Sequence, residues 1–294
     1  MNERNKLHTE SSETLRETTQ FQLYFLDYTN FLLPQHKRVT PGFIDFLEWF
    51  VGFSEGDGSF ICTTNKRNLF ILNQKEKSVL QKIRTNLGFG TVSTYGNHSR
   101  YIVADRKSID RLICIFNGNL HLEKTHQRFV RWVLFRNQFS QEEIMCKERY
   151  KLKADFLGKN SWLAGFIDAE GCFNANRIVD SRYTLGFRVR LRFFLDQRGE
   201  REVLRNIRDY LGGGSVALRG KEEMWRLNTW SLKTHQRLLN YLDSHKLRSQ
   251  KQIDKTRFSK LYRYIINRRN IPWKNKVLAR VNKLLYNSNA SLVR

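Results

Sequence analysis

The sequence predicts a protein of the α/β (α+β) class, built as a tandem repeat of two αββαββα units, and three observations predict it. A long segment recurs within the chain, both copies switch from helical to strand periodicity at the same point, and both then show a second helix and a second hairpin signal. The segment Trp49-Phe-Val-Gly-Phe-Ser-Glu-Gly-Asp-Gly-Ser-Phe60 recurs without a gap as Trp162-Leu-Ala-Gly-Phe-Ile-Asp-Ala-Glu-Gly-Cys-Phe173. Downstream, Phe70-Ile-Leu-Asn-Gln-Lys75 matches Phe193-Phe-Leu-Asp-Gln-Arg198, and Leu87-Gly-Phe-Gly-Thr-Val92 matches Leu211-Gly-Gly-Gly-Ser-Val216.

Each element follows from its local pattern. Residues 44–56 and 157–169 are apolar at helical spacing, and the pairs Asp57-Gly58 and Glu170-Gly171 end those helices. Strict alternation then puts Phe187, Val189, Leu191 and Phe193 on one strand face and Arg188, Arg190 and Arg192 on the other. Three arginines on one pleat face must meet solvent or an anion. Amphipathic helices at 79–87 and 203–211 follow, then hairpins signalled by Gly96-Asn97 and Gly220-Lys221, then a final helical segment. The chain divides into a polar extension at 1–40, a first domain at 41–140, a charged linker at 141–160 and a second domain with a basic tail at 161–294.

Composition bounds the partner. In 294 residues, 52 Lys+Arg stand against 28 Asp+Glu, a net charge of +24, which points to a polyanion and away from a neutral metabolic enzyme. With 40% hydrophobic and 13% aromatic residues the chain can bury a core, so it is not a disordered basic tail. No apolar run approaches the ~20 residues that span a bilayer, so no membrane partner is expected. Glu3, Glu10, Glu13 and Glu17 are acids that a cleaved organellar leader would avoid. Cys62, Cys114, Cys146 and Cys172 lack zinc-binding spacing and are expected as reduced core thiols. The five-residue step between His121 and His126 rotates them apart on a helix, which argues against a ligand pair.

The repeated motif carries the chemistry. Gly52 and Gly56, and Gly165 and Ala169, are small residues four apart on one face of each first helix, and their recurrence predicts that the two helices pack against each other. Asp57 and Glu170 then meet at two helix C-termini, where the dipole already disfavours a carboxylate. Two such groups repel unless a cation lies between them, and oxygen ligands at high negative potential suit Mg²⁺.

Leu163-Ala-Gly-Phe-Ile-Asp-Ala-Glu-Gly171 closely resembles the LAGLIDADG signature, and Phe50-Val-Gly-Phe-Ser-Glu-Gly-Asp-Gly58 matches it more loosely. From about residue 43 to 285 the chain resembles a single-chain, two-motif LAGLIDADG homing endonuclease. The resemblance implies a pseudo-twofold monomer with two antiparallel, saddle-shaped DNA-binding sheets and the motif helices at the interface. It implies that Asp57 and Glu170 hold Mg²⁺, with Mn²⁺ able to substitute, and that Glu55 and Asp168 are structural. It further implies that Gln74 and Gln197 orient water, that Lys124 and Lys251 stabilise developing charge, and that double-stranded DNA is cut to leave 3′ overhangs. The pentapeptide Lys-Thr-His-Gln-Arg at 124–128 also occurs at 233–237, but Lys251 lies at nearly the same distance from Gln197 as Lys124 does from Gln74. A group I intron RNA is the alternative partner, since maturases share the fold. Genes of this family commonly lie in mitochondrial or chloroplast introns, which is the compartment expected here.

If Phe60 and Phe173 point into the core, opposite parity exposes Thr63, Asn65, Asn174 and Asn176 for DNA contact. Arg67 and Asn73, and Arg188, Arg190 and Arg192, would join them on the returning strands, where Asn can read adenine and Arg guanine. Lys66, Arg100, Arg219 and Lys221 are expected near hairpin tips, gripping phosphates.

Overall fold

A computed structural model of the protein describes residues 25–29, 40–183, 185–220, 222–267 and 274–290. Most of the proposed extension at 1–40 and the whole of Lys221 lie outside the described residues.

The first half opens with helix α1 (Pro41–Asp57), where Pro41 occupies the first turn and Thr40 Oγ1 accepts from Phe43 N at 3.2 Å. It continues as β1 (Gly58–Cys62), β2 (Asn68–Gln74), α2 (Lys77–Leu87), β3 (Thr91–Tyr95), β4 (His98–Val103), α3 (Arg106–Phe116) and α4 (Glu123–Asn137). The second half runs α5 (Trp162–Glu170), β5 (Gly171–Val179), β6 (Phe187–Arg198), α6 (Arg201–Leu211), β7 (Ser215–Leu218), β8 (Met224–Thr229), α7 (Leu232–Ser244) and α8 (Lys251–Asn267), followed by α9 (Asn275–Ala290). The two antiparallel sheets have equivalent strand orders, β1-β2-β4-β3 and β5-β6-β8-β7.

Three expectations change. The final helical segment of each half is divided, because Asn117 and Gly118 break it in the first half and His245 ends α7 in the second, where α8 and α9 follow. The second motif helix starts at Trp162, preceded by a separate turn at Ala154–Leu157; Gly158 ends that turn and the Asn160 side chain caps Trp162 N at 3.0 Å. The charged segment from 141 packs along the first half, with Asn137 Nδ2 donating to Ile144 O and Asn117 Oδ1 accepting from Lys147 N.

The motif phenylalanines position the sheets. Phe60 lies opposite Phe70 and its ring is 5.2 Å from Trp132 of α4; Phe173 lies opposite Phe193 and is 5.4 Å from Phe258 of α8. The same aromatic pin therefore joins each motif strand to its closing helix.

Helices α1 and α5 pack face to face through the small residues. A methyl group on Gly165 would lie 2.7 Å from Phe53 N and inside the envelope of Trp49 O, and one on Gly52 would overlap Trp162 O. The polypeptide backbones are in contact at both places, so neither position has room for a side chain. Gly52→Ala or Gly165→Ala should therefore cost about 3 kcal/mol or more, at the upper end of overpacking costs, because backbone cannot swing aside. Gly42→Ala, with open space around it, should be near neutral in the same denaturant melts.

Candidate active site

The close approach delivers the last residues of both motif helices to one place. Glu170 Oε1 lies 3.5 Å from the position a Cβ on Gly56 would take, and Ala169 already occupies the space beside it. Asp57 and Glu170 thus meet across the pseudo-twofold axis at two negative helix ends. Burial, together with the negative charge of Glu170, pushes the Asp57 carboxyl up to about 7, and burial likewise raises Glu170. Gln74 Nε2 donates to Asp57 Oδ2, and Gln197 bonds to Glu170, so each strand end steadies one acid. Lys251 Nζ donates to Ile167 O and Ala169 O, both at 3.1 Å, and its charge favours ionisation of both acids. Burial pulls the Lys251 ammonium below its usual range even with Asp168, Asp57 and Glu170 nearby.

Lys124 departs from the expected symmetry. It stands two residues after the last backbone amide held by a buried acid, as Lys251 does, but its side chain is solvent-exposed and contributes to neither Asp57 nor Glu170. An exposed ammonium keeps its hydration, whereas one turned inward must replace water with carbonyls, as Lys251 does. Among the described residues, Lys251 is the ammonium whose charge acts on both acids.

Glu55 and Asp168 make the interface polar where it could not be left dry. Glu55 accepts from His121 N at 2.8 Å, Leu122 N at 2.6 Å and, across the interface, Trp162 Nε1 at 2.6 Å. Asp168 accepts from Arg248 N at 2.6 Å, Ser249 Oγ at 2.5 Å and, across the interface, Trp49 Nε1 at 2.8 Å. Each acid anchors the segment entering its own closing helix and takes the other half's tryptophan. Full burial lifts Glu55 to about 8. These tryptophans were not singled out from the sequence, although both open the repeated segment.

The outer sheet faces differ from expectation. Residues 63–67 form the β1–β2 turn, where the parity argument no longer applies: Thr63 Oγ1 bonds within the turn, Asn65 and Arg67 are exposed, and Lys66, at φ 60°, sits over the Phe139 ring. Asn73 is exposed on the outer face opposite Arg100, which lies within β4 and not at a tip. Asn174 is buried, its Oδ1 accepting from Asn176 Nδ2 and Arg192 Nη2. Arg190 and Arg192 pair with Asn176 and Asn174 in the ladder, and Arg188 lies opposite Ile178 and bridges to Asp180 at 3.2 Å. Arg219 does stand in a hairpin loop but is bridged to Asp196 at 3.0 Å. Cys62 is exposed and not a core thiol; the other three cysteines are partly buried, and all four are free. His121 is buried, with its Nδ1 3.2 Å from Tyr150 O and its pKa lowered by burial to about 4.

Two stacked motif helices, a shared acidic pair and two antiparallel sheets define a pseudo-symmetric nuclease-like architecture. Residues 50–135 and 163–262 match the family described as LAGLIDADG endonuclease, and the chain belongs to that family. It is 30% identical over 254 residues to a probable intron-encoded endonuclease 4 of Neurospora crassa, covering 82% of this chain and 45% of that protein, so the chain spans about half of that relative. It is also 28% identical over 183 residues to the intron-encoded RNA maturase bI4 of Saccharomyces cerevisiae, covering 59% of this chain and 27% of the maturase. Among solved structures, the LAGLIDADG meganuclease I-AabMI bound to uncleaved DNA has the same fold, with a TM-score of 0.66 at 18% identity over 82% of this chain and 98% of that one.

The donor set fits a hard divalent cation: two carboxylates raised by burial, Asp57 also by the charge of Glu170, are relieved when positive charge lies between them. Among the described residues no group of three or more His, Cys, Asp or Glu side chains is placed to hold a metal ion, and a cation between these two acids would draw further ligands from carbonyls, water or phosphate. Deprotonated Asp57 is the binding form, so Ca²⁺ affinity followed by calorimetry should be full above about pH 7 and fall as pH drops below it. The sign for folding runs the opposite way. A carboxyl raised in the folded state binds more protons there than when unfolded, so metal-free stability declines as pH rises from the ordinary carboxylate range toward about 7. Asp57→Asn should accordingly melt higher than the parent at pH 8 without metal, by ~3 °C or more, and should no longer gain stability on adding Ca²⁺.

Proposed function

We propose that the chain is a monomeric homing endonuclease that makes double-strand breaks with 3′ overhangs at a long asymmetric site in double-stranded DNA. The observation that carries this reading is the recessed Asp57–Glu170 pair, each acid held by a glutamine, with Lys251 beside both and Arg188, Arg190 and Arg192 along one face of β6. Phosphodiester hydrolysis requires an aligned water, neutralised phosphate oxygens and a stabilised leaving oxygen. Asp57 and Glu170 would hold Mg²⁺, with Mn²⁺ as a substitute, and the bound cation would supply charge neutralisation and acidify water. Gln74 and Gln197 fix the carboxylates by hydrogen bonds and leave their carbonyl oxygens to orient water. Lys251 tethers the end of α5 through two carbonyls and places a positive charge where phosphate charge builds up. The two halves carry different outer-face residues, so their targets differ and the full site is not a palindrome.

Similarity to a maturase supports group I intron RNA as a second partner, and relatives named for introns support expression in a mitochondrion or chloroplast. Presented with a randomised DNA site library, the protein should cut a discrete set of sites in Mg²⁺ or Mn²⁺. Asp57→Asn should bind and not cut; Lys251→Ala should slow cleavage by about 10²-fold or more, and Lys124→Ala by far less. No cutting under either ion, with tight binding to a group I intron RNA, would replace the endonuclease reading with the maturase one.

A further inference from the structure

The two outer sheet faces differ in chemistry as well as in sequence. On the second sheet, Asp196 and Arg226 are register partners, and Arg226 donates through Nε to Asp196 Oδ1 and through Nη2 to Asp196 Oδ2, both at 2.6 Å. The Arg226 guanidinium also lies 4.7 Å from the Phe194 ring centroid, and that of Arg192 lies 5.0 Å from the same centroid. Bidentate pairing along one edge, with an aromatic ring beneath, holds the planar group in one orientation. The opposite edge, Nη1 and the second Nη2 hydrogen, is directed away from the carboxylate. That edge matches the O6 and N7 acceptors of guanine in the major groove, and a side chain already held in its binding orientation loses little entropy on contact. Asp196 directly precedes Gln197, which holds Glu170, so this arginine stands beside the reaction centre.

The first sheet has no such clamp. At the equivalent pair, Asn73 faces Arg100, and Arg100 lies over the Tyr95 ring at 4.9 Å with no acid opposite. Across β1, β2 and β4 that outer face carries an aliphatic cluster bordered by Ser59, Thr91 and Ser93: Ile61 is opposite Leu69 and Ile71 is opposite Ile102, all four outside the core and Ile61 36% exposed. An exposed aliphatic ladder on a basic protein gains most from an apolar group on its ligand, and the one apolar group on a major-groove base edge is the thymine 5-methyl.

We propose that the two sheets read chemically different half-sites: Arg226, held by Asp196, requires a guanine beside the cleavage centre, and the Ile61–Leu69–Ile71–Ile102 ladder selects thymines in the other half. This rests on the endonuclease reading. The test is repeated selection of bound duplexes from a randomised library by the full chain in Ca²⁺, which reads binding without requiring cleavage. The expected consensus has an invariant guanine near its centre on one side and thymines on the other. Replacing that guanine by 7-deazaguanine should weaken binding five- to tenfold, as should replacing the opposite half's thymines by deoxyuridine. Arg226→Ala should abolish the preference at that one position. The positioning role of Asp196 predicts that Asp196→Asn lowers discrimination there while preferences elsewhere stay unchanged, whereas loss of structure alone would lower affinity for all sites equally. A selected site that keeps its full guanine preference in Arg226→Ala, or binds equally well with deoxyuridine, overturns the proposal and leaves the endonuclease reading intact. If no sequence is enriched, both fall.

Discussion

The contact on which the rest of this molecule depends is backbone against backbone between α1 and α5. Helix axes usually stand 8–10 Å apart because side chains keep them there. With glycine at 52 and 165, the carbonyls of Trp162 and Trp49 lie where Cβ atoms would otherwise be. This close approach has a directional consequence. Because both helices end at the same level, the acids at their last positions converge, and two like charges are forced into a recess that neither helix alone would form. The raised carboxyls of Asp57 and Glu170 record that packing.

Close packing of two helix ends would strand polar groups at the interface unless they were bonded. The molecule meets this with exchange between the halves. Each buried motif acid accepts from the other half's tryptophan, and each closing helix receives an acid from the opposite half, Glu200 on Lys124 N at 3.0 Å and Glu76 on Gln250 N at 2.7 Å. The same hydrogen bonds that satisfy the interface also orient the helices bearing the lysines. Pairing through backbone amides explains why the halves can diverge in sequence on their outer faces while the centre stays symmetric.

Departures from symmetry begin at the side chains. The motif acids are exchanged, Glu then Asp in the first copy and Asp then Glu in the second, so in the Asp57–Glu170 pair one acid is a methylene longer than the other. Only one of two equivalently placed lysines turns inward. An arginine at one strand position is clamped by Asp196, while its counterpart rests on a tyrosine opposite Asn73. Asymmetry of this kind suits a single chain that meets a different sequence on each side.

Repetition made the duplicated architecture, the motif helices and the identity of the paired acids legible in the amino-acid sequence, because helix and strand periods and small-residue spacing are local properties of the chain. Parity along β6 placed Arg188, Arg190 and Arg192 correctly for the same reason. It failed for Thr63 and Asn65, because alternation carries information only while the strand lasts and β1 ends at Cys62. It is silent on Arg226, because nothing local marks an arginine whose partner is 30 residues away across a sheet register. Which lysine turns inward, which arginine is clamped and which acids lose their usual titration range were decided by the tertiary structure alone. Those properties depend on burial and on cross-chain neighbours, which are set by the packing of α1 on α5 and not by any single stretch of sequence.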